Sequence, residues 1–132
     1  MFVRTSEQGY AQEVPLASPL RFLDEPAASG IRAEQPESAT VVAMASHAAA
    51  LGDPTRLAIA HALRAGGEVC ICDLSWILDR PVQMISHHVG KMRAAGVVSS
   101  RQDGRIVQCQ LTGTGARLLE ALSPKQPDRP QA

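Results

Sequence analysis

Two runs of residues, Val97-Val98-Ser99-Ser100-Arg101-Gln102 and Arg105-Ile106-Val107-Gln108-Cys109-Gln110-Leu111, flank Asp103-Gly104. An Asp-Gly pair tolerates the positive φ angles of a two-residue hairpin, so the runs are expected to pair as antiparallel strands. Just before them, Ile85, His88, Val89 and Met92 recur at i, i+3, i+4 and i+7 within residues 82–95, the spacing of one buried helical face, and Gly96 closes the segment. A hairpin fused to the end of an amphipathic helix leaves few architectures open. With a short helix and a tight turn ahead of that helix, the pattern is a helix-turn-helix carrying the hairpin as a wing.

The preceding residues supply the short helix. Asp73 is a good N-cap for a helix through Leu74, Trp76, Ile77 and Leu78, and Asp79-Arg80-Pro81 follows as a turn. Further back, Asp53-Pro54 marks a helix start, because Asp accepts from free N–H groups and Pro at the first helical position lacks an N–H that would be orphaned there. This helix should run to about Ala65 and stop at Gly66-Gly67. Residues 41–51 are alanine-rich and free of breakers, which predicts one more helix. A last helix from Thr112 or Thr114 puts Gly115, Leu118, Leu119 and Leu122 on one stripe. The expected fold is mostly α with a small β-hairpin wing, a winged helix-turn-helix, over residues 41–122.

A chain of 132 residues with 45% hydrophobic content has room for one such core. Of its nine prolines, Pro54 and Pro81 alone fall within residues 41–122, so residues 1–40 read as a flexible N-terminal tail and residues 123–132 as a disordered C-terminal one. Leu16, Leu20, Phe22 and Leu23 give the first tail apolar side chains with which to dock. No run approaches the ~20 apolar residues of a membrane span, and the N-terminus lacks the layout of a secretory signal. The expectation is a cytoplasmic protein with reduced thiols and no membrane partner.

Thirteen basic residues balance thirteen acidic ones, so nucleic acid would have to be bound by a local patch. With Ile85 at the centre of the buried face, Gln83, His87 and Gly90 lie opposite, flanked by Ser86 and Lys91. Gln83 suits adenine, Ser86 suits bases or phosphate, and His87 suits either. His88, on the buried edge, reads as a satisfied core histidine; His47 and His61 read as solvated. Arg101 and Arg105 frame the wing turn, where they suit phosphate or the minor groove or simply keep the hairpin soluble. Lys91 and Arg93 extend that surface, and a dimer would double it.

Cys70 and Cys72 stand two apart in Glu68-Val69-Cys70-Ile71-Cys72. In an extended segment both would share a face, ~6–7 Å apart. Thiolates are soft ligands for thiophilic ions, and two with a third donor suit As(III), Sb(III), Cd(II) or Pb(II). Cysteines are equally good small core residues, and the residues alone leave both readings open. Asp73 could ligate, although its capping role explains it. Cys109 alternates with Val107 and Leu111 as a core residue would, yet it could be the third ligand where its strand pairs with the segment holding Cys70.

Together, Ala50-Leu51-Gly52-Asp53-Pro54-Thr55-Arg56-Leu57, Glu68-Val69-Cys70-Ile71-Cys72-Asp73-Leu74, Ile85-Ser86-His87-His88 and Gly104-Arg105 resemble the ArsR/SmtB family of metal-responsive repressors. The resemblance covers roughly residues 41–122. It implies a homodimeric winged-helix repressor, a double-stranded operator with dyad symmetry upstream of a resistance or efflux operon, and release of DNA when a metal or metalloid inducer binds Cys70 and Cys72. The chain departs from the family where Pro81 replaces a common Ser and Ser75 a frequent third Cys. Its N-terminal segment has no Cys, and no His or Asp lies between Thr112 and Leu122. The dimer is expected to use the helix of residues 41–51 and the last helix around Leu118, Leu119 and Leu122, whose stripes are too apolar for water. Three rivals remain: a thiol-redox or persulfide sensor on the same fold, pairing Cys70 or Cys72 with Cys109, a thiol oxidoreductase, for which both Cys-x-x-Cys and a βαβ pattern are missing, and a DNA-binding protein without any ligand, whose operator affinity ignores metal and redox state. The expected protein is a regulator and not an enzyme.

Overall fold

The computed structural model describes residues 2–5, 12–15 and 17–124, and the chain divides into two compact units, Met1–Glu37 and Ser38–Ala132. In the first, β1 (Phe2–Thr5) pairs antiparallel with β2 (Gln12–Pro15), and α1 spans Glu25–Ala33. The segment read as a tail from its prolines therefore contains a helix. Its N-cap Asp24 accepts from the Ala27 N–H at 2.8 Å, and Pro26 sits in the first turn, where proline starts a helix instead of breaking it. Leu16 and residues 125–132 lie outside the described residues.

The second unit runs α2 (Ser38–Ala50), α3 (Pro54–Gly66), β3 (Glu68–Cys70), α4 (Ile71–Leu78), α5 (Val82–Ala94), β4 (Val98–Asp103), β5 (Ile106–Leu111) and α6 (Gly113–Leu122). Asp53 caps α3 by accepting from the Arg56 N–H at 3.0 Å, and Thr112 caps α6 by accepting from that of Gly115 at 3.1 Å. Gly67, at φ 78, ends α3 in a conformation that a side chain would oppose. Ile59 and Leu63 of α3, Leu74 of α4, Ile85, Val89 and Met92 of α5, Val97 ahead of β4, Val98 of β4, Cys109 of β5 and Leu119 of α6 belong to one buried core. The three α5 members are those that its periodicity picks out.

Strand order in the sheet is β3-β5-β4, all antiparallel. Asp103 pairs with Ile106, which makes Gly104-Arg105 the two-residue turn instead of Asp103-Gly104. Gly104 alone takes a positive φ, 64°, as the first central residue of a type II′ turn does, whereas an Asp-Gly type I′ turn needs two. The one-residue shift carries Arg105 to the tip of the wing.

One further expectation changes. Leu119 is fully buried in the core of this chain and so is not free to form the expected dimer contact, while Leu122 is exposed. α6 packs so closely on the backbone leading into β4 that a Cβ on Gly115 would lie 2.1 Å from the Val97 carbonyl oxygen. α2, by contrast, buries only Ala50 and exposes Val41, Val42 and Met44.

Candidate nucleic-acid interface and thiol site

α4, a turn and α5 form the helix-turn-helix. Asp79 makes the turn in a left-handed conformation, φ 52, which Asp tolerates better than most residues. The Arg80 N–H donates to the Ser75 carbonyl at 3.1 Å, and the Ser75 hydroxyl donates to the Arg80 carbonyl. Ser75 is therefore occupied in shaping the turn. Pro81 precedes α5 without a side-chain cap, leaving the first N–H groups of that helix open.

Gln83, Ser86, His87 and Lys91 are all exposed on α5, opposite Ile85, Val89 and Met92. This is the face that the periodicity assigns to solvent or DNA. His88 is mostly buried beside it, with Nδ1 3.3 Å from Arg56 Nη1 and 4.0 Å from Asp53 Oδ2. Burial pushes its pKa below the usual imidazole value, against the opposing pull of Asp53. Arg93 turns to the sheet, donating to the Ser100 hydroxyl at 2.9 Å.

The two wing arginines differ. Arg105 stands exposed at the tip. Arg101 is committed within the chain: its Nη2 lies 2.6 Å from Glu68 Oε1 and its Nε 3.0 Å from Glu68 Oε2, with Asp103 3.7 Å away. This bidentate pair raises the Arg101 pKa and holds the Glu68 carboxyl below its ordinary value. Arg101 is thus neutralised where the sequence leaves it a free cation. The strand pairing β3-β5-β4 brings Glu68 within reach, which sequence spacing does not convey.

Cys70 and Cys72 are not carried on one extended strand. Cys70 ends β3 and is itself the N-cap of α4, its Sγ accepting from the Asp73 N–H at 3.4 Å. Cys72 and Asp73 sit exposed in the first helical turn, so Asp73 is not the cap. Both thiols and Asp73 nevertheless line one groove of about 490 Å³, together with Val82 and Ser86 of α5 and Arg105 and Ile106 of the wing. Cys109 faces the interior, opposite Val69 and Ser100 on the flanking strands, and burial pushes its thiol pKa up. Among the described residues no three His, Cys, Asp or Glu side chains are grouped to hold a metal ion. The soft donors on this groove are the two thiols of Cys70 and Cys72.

Sequence reasoning missed Arg56 and Glu68 as partners of His88 and Arg101, and it missed Trp76, which stands 85% exposed on α4. No helix among the described residues is long and apolar enough to cross a membrane.

Two helices joined by a tight turn, the second with a polar outer face and followed at once by a three-stranded sheet whose hairpin projects an arginine, define a winged helix-turn-helix protein. The family model for bacterial regulatory proteins of the arsR family matches residues 53–100, and over this segment the chain is similar to that family. It is 44% identical over 57 residues to the cadmium resistance transcriptional regulatory protein CadC of Listeria innocua, covering 43% of this chain and 48% of that one. It is 39% identical over 62 residues to the arsenical resistance operon repressor of Escherichia coli, covering 47% and 53%. The chain thus spans about half the length of these curated relatives. The fold matches a homodimeric winged helix-turn-helix DNA-binding domain from Mycobacterium bovis, a possible ArsR-family regulator, with TM-score 0.60 and 24% identity over 67% of this chain and 84% of that one. The family and these relatives are transcriptional regulators.

Proposed function

We propose that the chain is a transcriptional repressor that binds a dyad-symmetric operator as a homodimer and releases it when a thiophilic ion is bound through Cys70 and Cys72. The observation that carries this reading is the shared groove: the surface lined by both thiols is also lined by Ser86 of the reading helix and Arg105 of the wing. An ion held there pulls on the cap of α4 and changes the surface offered to DNA. Release then needs only a higher affinity of the ion for the DNA-free arrangement. Gln83, Ser86, His87 and Lys91 read or grip the major groove, and Arg105 grips the adjoining backbone.

Cadmium and arsenic resistance in the relatives' names favours a soft ion, As(III), Sb(III), Cd(II) or Pb(II), and soft ions favour thiolates. Ligands beyond the two thiolates come from outside the protomer's own grouped residues. The exposed apolar residues of α2 and Leu122 suit a second copy, which doubles a basic patch that a neutral chain needs. The thiol-redox reading has less support, since the remaining cysteine, Cys109, is buried and its raised pKa keeps it from the reactive thiolate form.

The test is fluorescence anisotropy with a duplex selected by the protein from a randomised pool, titrated with each ion. The doubly substituted chain, Cys70→Ser with Cys72→Ser, is expected to bind that duplex like the parent and to stay bound when ions are added. Ion-driven release of the double variant would refute the ligand assignment. Failure of the parent to select any duplex would refute DNA binding itself.

A further inference from the structure

Outside the reading face and the thiol groove, one side-chain cluster ties three elements of the second unit together. Arg56, in the first turn of α3, reaches back across the junction with α2. Its Nε donates to the Ala50 carbonyl at 2.8 Å and its Nη2 to that of Ala49 at 3.0 Å. Its Nη1 lies 3.3 Å from Nδ1 of His88 on α5. A single planar fork therefore bonds the last two carbonyls of α2, that of Ala49 also accepting from the Gly52 N–H at 3.0 Å, and holds the inner edge of the helix bearing Gln83, Ser86 and His87. Asp53 completes the cluster, its Oδ2 accepting from the Arg56 backbone N–H at 3.0 Å and lying 4.0 Å from His88 Nδ1.

Arginine has donors only, so its bond to His88 requires an unprotonated Nδ1. A proton on that nitrogen turns the acceptor into a donor and reverses its preference. The imidazolium is repelled by Arg56 and attracted by Asp53, whose oxygen is already the cap of α3. We propose that His88 is a positioning residue that changes partner on protonation, held by Arg56 when neutral and by Asp53 when charged, so that protonation resets the reading helix against α2 and α3. The groups facing it are Asp53 at the cap of α3, Arg56 on α3, and His87 and Lys91 on its own helix. Burial, the largest influence, lowers its pKa; Asp53 opposes this, and the three basic neighbours add to it. The accepting form therefore prevails at neutral pH, the state in which α5 is latched to Arg56.

The consequence for DNA rests on the repressor reading above, whereas the partner change itself does not. His88→Gln keeps an acceptor for Arg56 and removes the titration. Affinities for the selected duplex and for a scrambled one are measured at about pH 7.5 and about pH 5.5, the span over which an imidazole changes charge. Their ratio cancels the general gain in phosphate binding as His87 and other groups protonate. The parent's ratio is expected to fall by about threefold or more on acidification, the scale of one ion-pair rearrangement, and that of His88→Gln to stay flat. An equal fall in both proteins, or no fall in the parent, overturns the proposal. Nuclear magnetic resonance of the full parent chain without DNA supplies an arm that survives misfolding of the variant. The Arg56 Nε–H and the α5 amides are expected to titrate with the midpoint of the His88 ring, and a ring that titrates without moving them overturns the partner change. If no duplex is discriminated at either pH, the repressor reading fails while the resonance experiment still decides the switch.

Discussion

Arg105→Ala and Arg101→Ala remove the same charge from the same hairpin, yet the structure assigns them different consequences. Arg105 is exposed at the turn, and among the described residues it has no acidic partner. Arg101 already gives two donors to Glu68 at 2.6 and 3.0 Å. Each phosphate contact contributes about 0.9 to the slope of log affinity against log salt, so losing Arg105 from both wings of a dimer flattens the slope by about 1.8. Between about 50 and 200 mM salt, the parent should then lose about 12-fold more affinity than the variant. Arg101→Ala frees the Glu68 carboxylate as it removes the cation, and its slope should change by less than about half as much. Anisotropy titrations of one labelled duplex across a potassium chloride series measure all three slopes. Equal changes in the two variants, or a larger one for Arg101→Ala, would refute the division of roles between the wing arginines.

Gln83→Ala is expected to cost about 1–3 kcal/mol at one base position per half-site and to relax discrimination there; a substitution panel in the duplex should find one position that no longer matters. Gly115→Ala drives a methyl group against the Val97 carbonyl, which lies 2.1 Å from the ideal Cβ position and belongs to backbone that cannot swing aside. Urea unfolding at fixed protomer concentration should show a loss of about 3 kcal/mol, the upper end for overpacking, and an unchanged midpoint would show that α6 has room to move. Because the folded pKa of Glu68 is depressed by Arg101, its contribution to stability is present above the ordinary carboxylate value and lost as pH falls through the folded one. Glu68→Gln should therefore flatten the acid limb of thermal stability against pH. Cys109 carries the opposite sign: its raised thiol pKa gives a contribution that is full below the ordinary thiol value and lost as pH rises through the folded one. Cys109→Ala should be less stable at neutral pH through its cavity, with a shallower alkaline decline than the parent.

Signals local to the chain were legible. Asp53-Pro54 and Thr112 mark real helix starts, and Ile85, Val89 and Met92 are buried as their spacing requires, because capping and amphipathic periodicity act within a few residues. Even α1 announced itself through Asp24 and Pro26, a proline in a first turn that resembled one in a tail. The hairpin was also evident, although its register was set by the turn geometry that Gly104 could adopt, which moved Arg105 to the tip. Pairing across the chain was decided only by the tertiary structure. Glu68 and Arg101 are 33 residues apart, and Arg56 and His88 are 32 apart, distances over which local pattern carries no information. The stripe on α6 was apolar in sequence, but packing against α3 and β5 determined that Leu119 would be core and Leu122 surface. Likewise the Cys-x-Cys spacing named two soft donors, whereas the junction of β3 with α4 made Cys70 a helix cap and joined both thiols to Ser86 and Arg105 around one groove. Residue chemistry is a property of the chain, but a charge's partner and a thiol's neighbours depend on which distant segments the core draws together.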